Sequence, residues 1–224
     1  MKIKHQDEIA VIGAGRFGQA VIDQLLNLNK NIVILDEDQR NLKRYEEDID
    51  RIFTGDAADT KVLMGIGIDN IDTVVVAVSE NVEIVSALQE LKVKNIIARA
   101  ISARHARVLK QIGANVIIKP EAEAGIRAAL IAANNNFIKY GQNLQEIGDN
   151  FVIGSTSIKN ETLIQKQVKD LGLNERGITI VLIKSNGISK RATGDVNLKM
   201  NDVITIIGEI GDVTNALAWF NNEN

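Results

Sequence analysis

From Glu8 to about Ala114, apolar runs of strand length alternate with segments whose apolar residues recur at helical spacing. That rhythm predicts βαβ units on a parallel sheet. Six strands are expected, at residues 9–13, 31–35, 51–54, 73–78, 95–100 and 115–118. They are rich in Val and Ile without strict alternation, the pattern of strands covered on both faces. Between them Leu42, Tyr45 and Ile49, then Ile84, Leu88 and Leu91, then Val108, Leu109 and Ile112 place apolar groups on one face of a helix. Pro120, the only proline, follows the sixth strand, where its fixed φ and missing N–H suit a first helical position. Beyond it Ile126, Leu130, Ala133 and Phe137 form a stripe that predicts a long helix to about Tyr140.

Residues 141–150 are polar and contain glycine, which reads as a linker. A different rhythm follows: a strand at 151–158, a helix around Leu163, Ile164, Val168 and Leu171, and a strand at 178–184. A turn at Ser185-Asn186-Gly187, a strand at 203–208 and a short helix at 213–220 complete it. The expected architecture is α/β: a doubly wound parallel-sheet Rossmann domain over residues 1–140, then a small α+β lobe over 141–224.

At 45% hydrophobic and 25% charged residues, the chain has the composition of an ordinary globular protein rather than a disordered or fibrous one. Basic and acidic residues number 26 and 29, so no cationic excess is available to neutralise a phosphate backbone, and nucleic acid is not an expected partner. The absence of cysteine removes disulfides, thiolate metal sites and cysteine nucleophiles together. The first eight residues are too polar for a signal peptide, and no apolar run approaches the ~18 residues that span a bilayer. The expectation is a cytoplasmic protein whose membrane role, if any, is peripheral.

The sharpest motif is Gly13-Ala14-Gly15-Arg16-Phe17-Gly18, which follows the first strand and opens the first helix. In that setting the first glycine permits a tight turn, and the second lets a pyrophosphate approach the backbone. The third lets helix and strand pack closely, and the helix start supplies free N–H groups. The second strand ends in Asp36, about 20 residues on, where a carboxylate hydrogen-bonds an adenosine ribose and repels a 2′-phosphate. Asp56 and Ala57 after the third strand, Ala77 and Val78 at the end of the fourth, Arg99 ending the fifth and Glu121 after the sixth fall at the same sheet edge, where nucleotides bind in such folds. Asp56 suits an adenine amino group, although turn chemistry explains Gly55-Asp56 as well. Neither His5 nor His105 has a metal-ligand spacing or a partner base, and no nucleophile or Walker motif is present.

The stretches Val11-Ile12-Gly13-Ala14-Gly15-Arg16-Phe17-Gly18, Leu35-Asp36, Thr54-Gly55-Asp56-Ala57, Ile112-Gly113-Ala114, Lys119-Pro120-Glu121 and Asn201-Asp202-Val203-Ile204 span nearly the whole chain. Together the sequence resembles the RCK-domain regulatory subunits of bacterial Trk- and Ktr-type potassium uptake systems. The resemblance implies a cytosolic subunit, attached peripherally to the inner face of the membrane, that gates a potassium-translocating partner. It implies homo-oligomers, dimers assembling into a ring that is commonly an octamer, and either ATP/ADP or NAD(H) as ligand. It places Arg16 at the terminal phosphate, with Arg99 and Glu121 nearby. Glu121 is the candidate for contact through Mg2+ or another divalent cation. Some relatives bind cyclic di-AMP at the C-terminal lobe, and the run from Gly172 to Gly177 is compatible with that. Where the family often has Gly-Asp before its last strand, this chain has Asn201-Asp202. The alternative reading is a small NAD-dependent oxidoreductase, which would need an acid/base group beside its nicotinamide; the sequence offers none.

Overall fold

The computed structural model describes residues 8–133 and 144–222. Its contacts divide the chain into two compact units, Met1–Glu123 and Ala124–Asn224. The boundary expected at residues 140/141 and Phe137 of the apolar stripe both lie outside the described residues.

In the first unit, β1 (Glu8–Ile12), β2 (Asn31–Asp36), β3 (Arg51–Thr54), β4 (Thr73–Val76), β5 (Asn95–Arg99) and β6 (Val116–Ile118) form a sheet in the order β3-β2-β1-β4-β5-β6. Every neighbouring pair is parallel. The helices between them are α1 (Arg16–Asn27), α2 (Gln39–Leu42), α3 (Thr60–Gly65), α4 (Val82–Glu90) and α5 (Ala103–Gln111). The order reverses between β1 and β4, which opens a crevice at the carboxyl ends of those two strands. Two apolar layers sandwich the sheet. Ile22, Leu42 and Tyr45 pack on Val11, Ile32 and Ile34 on one face. Leu63, Leu88 and Leu109 pack on Ile12, Val74 and Ile96 on the other. Each fully buried aliphatic side chain contributes roughly 1.5–3 kcal/mol, so the layers fix the strand ends that carry the crevice loops. α6 (Pro120–Ala133) leads out of this sheet, and its residues 121–129 are all exposed.

The second unit holds an antiparallel sheet, β10-β9-β11-β8-β7, made of β7 (Leu144–Gly148), β8 (Phe151–Ser157), β9 (Ile178–Ser185), β10 (Ile188–Arg191) and β11 (Val203–Glu209). A final helix, α7 (Ile210–Phe220), buries Val213, Leu217 and Phe220 in the same core as Val152, Ile180 and Ile206. The predicted turn joins β9 to β10, with Asn186 and Gly187 at φ 50° and 80°. That is the left-handed geometry that Asn-Gly supplies at a hairpin.

Two expectations fail here. Residues 144–148 are not linker but β7, joined to β8 through left-handed Gly148, Asp149 and Asn150. Only Leu144 of the strand is buried, so an edge strand with polar side chains reads as a loop. The helix expected around Leu163 and Val168 is instead two single 3-10 turns, Glu161–Leu163 and Val168–Asp170. Gln165 between them has φ 66°, and Gln167 bridges Asn197, so the chain cannot continue as a helix. Asn201 sits at φ 63°, a conformation that Asn tolerates in place of Gly. Buried Asp202 beside it accepts hydrogen bonds from the Ser185 hydroxyl and from the Lys199 N–H.

Candidate functional site

Each glycine of the loop after β1 has a separate physical task. Gly13 has φ 92°, and a Cβ there would meet the Val78 side chain at the end of β4. Its N–H donates to Leu35 O at 2.8 Å, while Ala77 N–H donates to Ile12 O at 2.8 Å, so the turn is tied to both neighbouring strands. A Cβ on Gly18 would fall on the Gly13 carbonyl, which shows how tightly α1 lies against β1. Gly15 has no atom within 4 Å of its Cβ position. It starts α1 in extended conformation, so the exposed N–H groups of that helix face open space beside Arg16.

Asp36, at the end of β2, closes over this loop. Its Oδ2 accepts the Ala14 N–H at 2.6 Å and its Oδ1 the Asp38 N–H at 2.8 Å, with the Asn41 amide within 3.3 Å of both oxygens. Asp38 in turn caps α2, and the Arg40 guanidinium that it binds holds its carboxyl down at about 2. The other half of the loop is held by Gln19, whose amide donates to Ala14 O at 3.0 Å and accepts from Arg44.

A cavity of about 780 Å³ opens beside the loop, in the range of small-ligand pockets. Gly13, Asp36, Asp56, Ala57 and Val78, all expected from sequence, line it. Asp56 also spends Oδ1 on the Ala58 N–H at 2.8 Å, so its turn role is real whether or not it meets a ligand. Glu37, Ser79, Glu80, Asn81, Glu83, Ile101 and His105 line the cavity as well, and the motif reading missed them. His105 is half-buried there, its Nδ1 accepting from Ile101 N–H at 3.4 Å, rather than displayed on an exposed helix face. Asn81 is 1% exposed and donates to Val78 O at 2.9 Å and Arg99 O at 2.8 Å, which staples the end of β4 to the end of β5. Asn81 occupies the N-cap of α4, a position that sequence reasoning can find, whereas His105 gives no local signal.

The charges divide the site. Asp36, Glu37, Asp56, Glu80 and Glu83 line the cavity without a lysine or arginine among them. The cations stand at the β5 end and on the loop: Arg99 pairs with Glu121, lies 5.9 Å over the Phe17 ring and reaches toward Ala77 O at 3.5 Å. Glu121 sits below the usual carboxylate range, held there by its backbone N–H, by Arg99 and by nearby Arg16. The buried Arg99 Nε has no hydrogen-bond partner among the described residues, a donor to spare beside the helix start. A ligand with an uncharged polar end and an anionic end fits this division. Its hydroxyls and base would lie among the carboxylates, and its anion at the α1 N-terminus between Arg16 and Arg99.

The strand order, the glycine loop and the acidic end of β2 define a Rossmann-type nucleotide-binding domain followed by a small antiparallel lobe. Residues 9–120 match the TrkA-N domain and residues 156–221 the TrkA-C domain, and the chain belongs to the TrkA-N domain family. It is 29% identical over 214 residues to the Ktr system potassium uptake protein C of Bacillus subtilis, covering 92% of this chain and 94% of that one. It is 27% identical to the Ktr system potassium uptake protein A of Vibrio alginolyticus, covering 94% and 96%. Among solved structures, the GsuK RCK domain superposes with a TM-score of 0.58 at 16% identity over all of this chain, which spans 50% of that one. The GsuK channel bound to NAD gives 0.59 at 18% identity over all of this chain, which spans 41% of that one. At such identities these structures establish the fold, which is that of an RCK domain.

Proposed function

We propose that the chain is a non-enzymatic, nucleotide-sensing regulatory subunit of a potassium uptake system, working at the cytoplasmic face of a potassium-translocating membrane subunit of Trk or Ktr type. The observation that carries the reading is the polarity of the site: a carboxylate-lined cavity for ribose and base adjoins a helix start flanked by Arg16 and Arg99. The end-to-end similarity to Ktr system potassium uptake proteins supplies the physiological setting. In this reading Asp36 takes the ribose hydroxyls, the loop from Gly13 to Gly18 the phosphates, Asp56 and Ala57 the adenine edge, and Arg16 and Arg99 the distal phosphate. Glu121 then faces that phosphate through a divalent cation such as Mg2+. The reading admits ATP/ADP or NAD(H), both of which present adenosine and phosphate in the same order. GsuK structures bound to NAD and to ADP support either choice.

Assembly follows from the same reading. Among the described residues no helix is long and apolar enough to cross a membrane, so a signal must leave through contacts with other chains. Residues 121–129 of α6 are exposed, Ile126 by 55%, which supports pairing of copies along this helix and growth into a ring, an octamer by resemblance. For the second unit, Gly172 and Gly177 both have positive φ, at 61° and 64°. Turn geometry thus accounts for both, and a cyclic di-AMP role there rests on resemblance alone. Calorimetric titration with ATP, ADP, NAD+ and NADH tests the reading. Saturable binding that Asp36→Ala weakens, with the nucleotide recovered intact, is expected. NADH oxidation or reduction coupled to a small substrate would move the assignment to an oxidoreductase.

A further inference from the structure

The Asp36 carboxylate is already saturated by the protein's own donors. Ala14 N–H donates to Oδ2 at 2.6 Å and Asp38 N–H to Oδ1 at 2.8 Å, and the Asn41 side-chain amide lies 3.2 Å from Oδ1 and 3.3 Å from Oδ2. A carboxylate offers about four acceptor positions, and these contacts fill them. A ribose that donates two O–H groups to Asp36 must therefore displace a donor already in place. The donors are not equally free to leave. Ala14 is fully buried and its N–H belongs to the glycine loop, which Gln19 holds from the other side. Asp38 N–H is fixed in the turn that starts α2. Asn41 alone reaches Asp36 through rotatable side-chain bonds, from a half-exposed position on α2, and it makes the longest contacts.

We infer that Asn41 is an internal competitor for the ribose: its amide occupies the Asp36 carboxylate in the free protein and swings away when the 2′- and 3′-hydroxyls bind, which sets nucleotide affinity below what Asp36 alone would give. The inference rests on the reading of this pocket as a nucleotide site. A sensor benefits from such a restraint, because a ligand held too tightly cannot exchange as its concentration changes. Asn41 acts through Asp36 and is a positioning residue.

The test is calorimetric titration of ATP and of 2′,3′-dideoxy-ATP into the wild type, Asn41→Ala and Asn41→Ser. Alanine favours a helix and the site is half-exposed, so both variants are expected to melt like the parent. ATP should bind both variants roughly fivefold to tenfold more tightly, the scale of one hydrogen bond to a charged acceptor, while dideoxy-ATP affinity stays unchanged. Equal tightening of both ligands, no change, or weaker ATP binding overturns the inference, the last by making Asn41 a direct ribose contact. A wild type that binds neither ligand, or both equally, removes the pocket reading and this inference with it. Ribose-dependent wild-type binding with unaltered variants removes the inference alone.

Discussion

Replacing Gly15 and Gly18 in turn by alanine separates the two uses of the glycine loop. At Gly18 the new methyl lands on the Gly13 carbonyl, backbone against backbone, and α1 must shift on β1 to make room. Overpacking of this kind costs ~1–3 kcal/mol, and each kcal/mol lowers the melting temperature of a chain this size by about 2–4 °C. At Gly15 the backbone has φ −69° and ψ −173°, which any residue adopts, and nothing lies within 4 Å of the methyl. Losing glycine as the helix cap is offset by ~0.4–1 kcal/mol of reduced unfolded-state entropy, so stability should stay near the parent's. The methyl nevertheless projects into the space through which a phosphate reaches the helix N–H groups. Gly15→Ala is thus expected to fold normally and lose nucleotide affinity by tenfold or more, ~1.4 kcal/mol or above, while Gly18→Ala loses stability first. Urea denaturation and calorimetry on the two variants read both effects. A stable Gly15→Ala with parental affinity would refute the assignment of that space to phosphate, and a fully stable Gly18→Ala would refute the packing argument.

Asp36→Ala should weaken nucleotide binding by ~1.5–3 kcal/mol and also destabilise the free protein by ~1–3 kcal/mol, because it strands the buried Ala14 N–H; urea midpoints without nucleotide check the second effect. Glu121 titrates below its ordinary 4.5 in the folded state, so the stability that it contributes is present above pH 4.5 and disappears as pH falls through the folded value. The difference in urea midpoint between the wild type and Glu121→Gln should therefore be flat from pH 7 to about 5 and shrink below that; a difference that grows on acidification would reverse the sign. Burial, with the Asp23 carboxylate that its hydroxyl contacts, pushes Tyr45 from 10.0 up to about 12. Its contribution is then intact below pH 10 and falls as pH rises toward 12, and Tyr45→Phe should remove that alkaline loss from a pH series of melts.

The first unit is legible in the sequence because its elements repeat one physical pattern. The Val- and Ile-rich runs and the one-faced helices place all six strands within two residues of their observed ends, and Gly13, Gly15, Gly18 and Asp36 carry tasks that only their spacing can define. What is not legible depends on which loops meet. His105 and Asn81 are far apart in the chain, and only the parallel register of β4 and β5 brings them to one cavity wall. The saturation of Asp36 is invisible for the same reason, since Asn41 looks like any polar residue on a short helix. In the second unit, the polar side chains of β7 and the left-handed Gln165 hide a strand and mimic a helix.

Potassium flux tests the central claim most directly. A Ktr-type membrane subunit reconstituted in liposomes, with this chain added outside under ATP or under ADP, is predicted to conduct at rates that depend on the chain and differ between the two nucleotides. Asp36→Ala should bind the assembly yet leave the rate indifferent to the nucleotide. A rate unaffected by the wild-type chain, or equal with and without every nucleotide, would contradict the account.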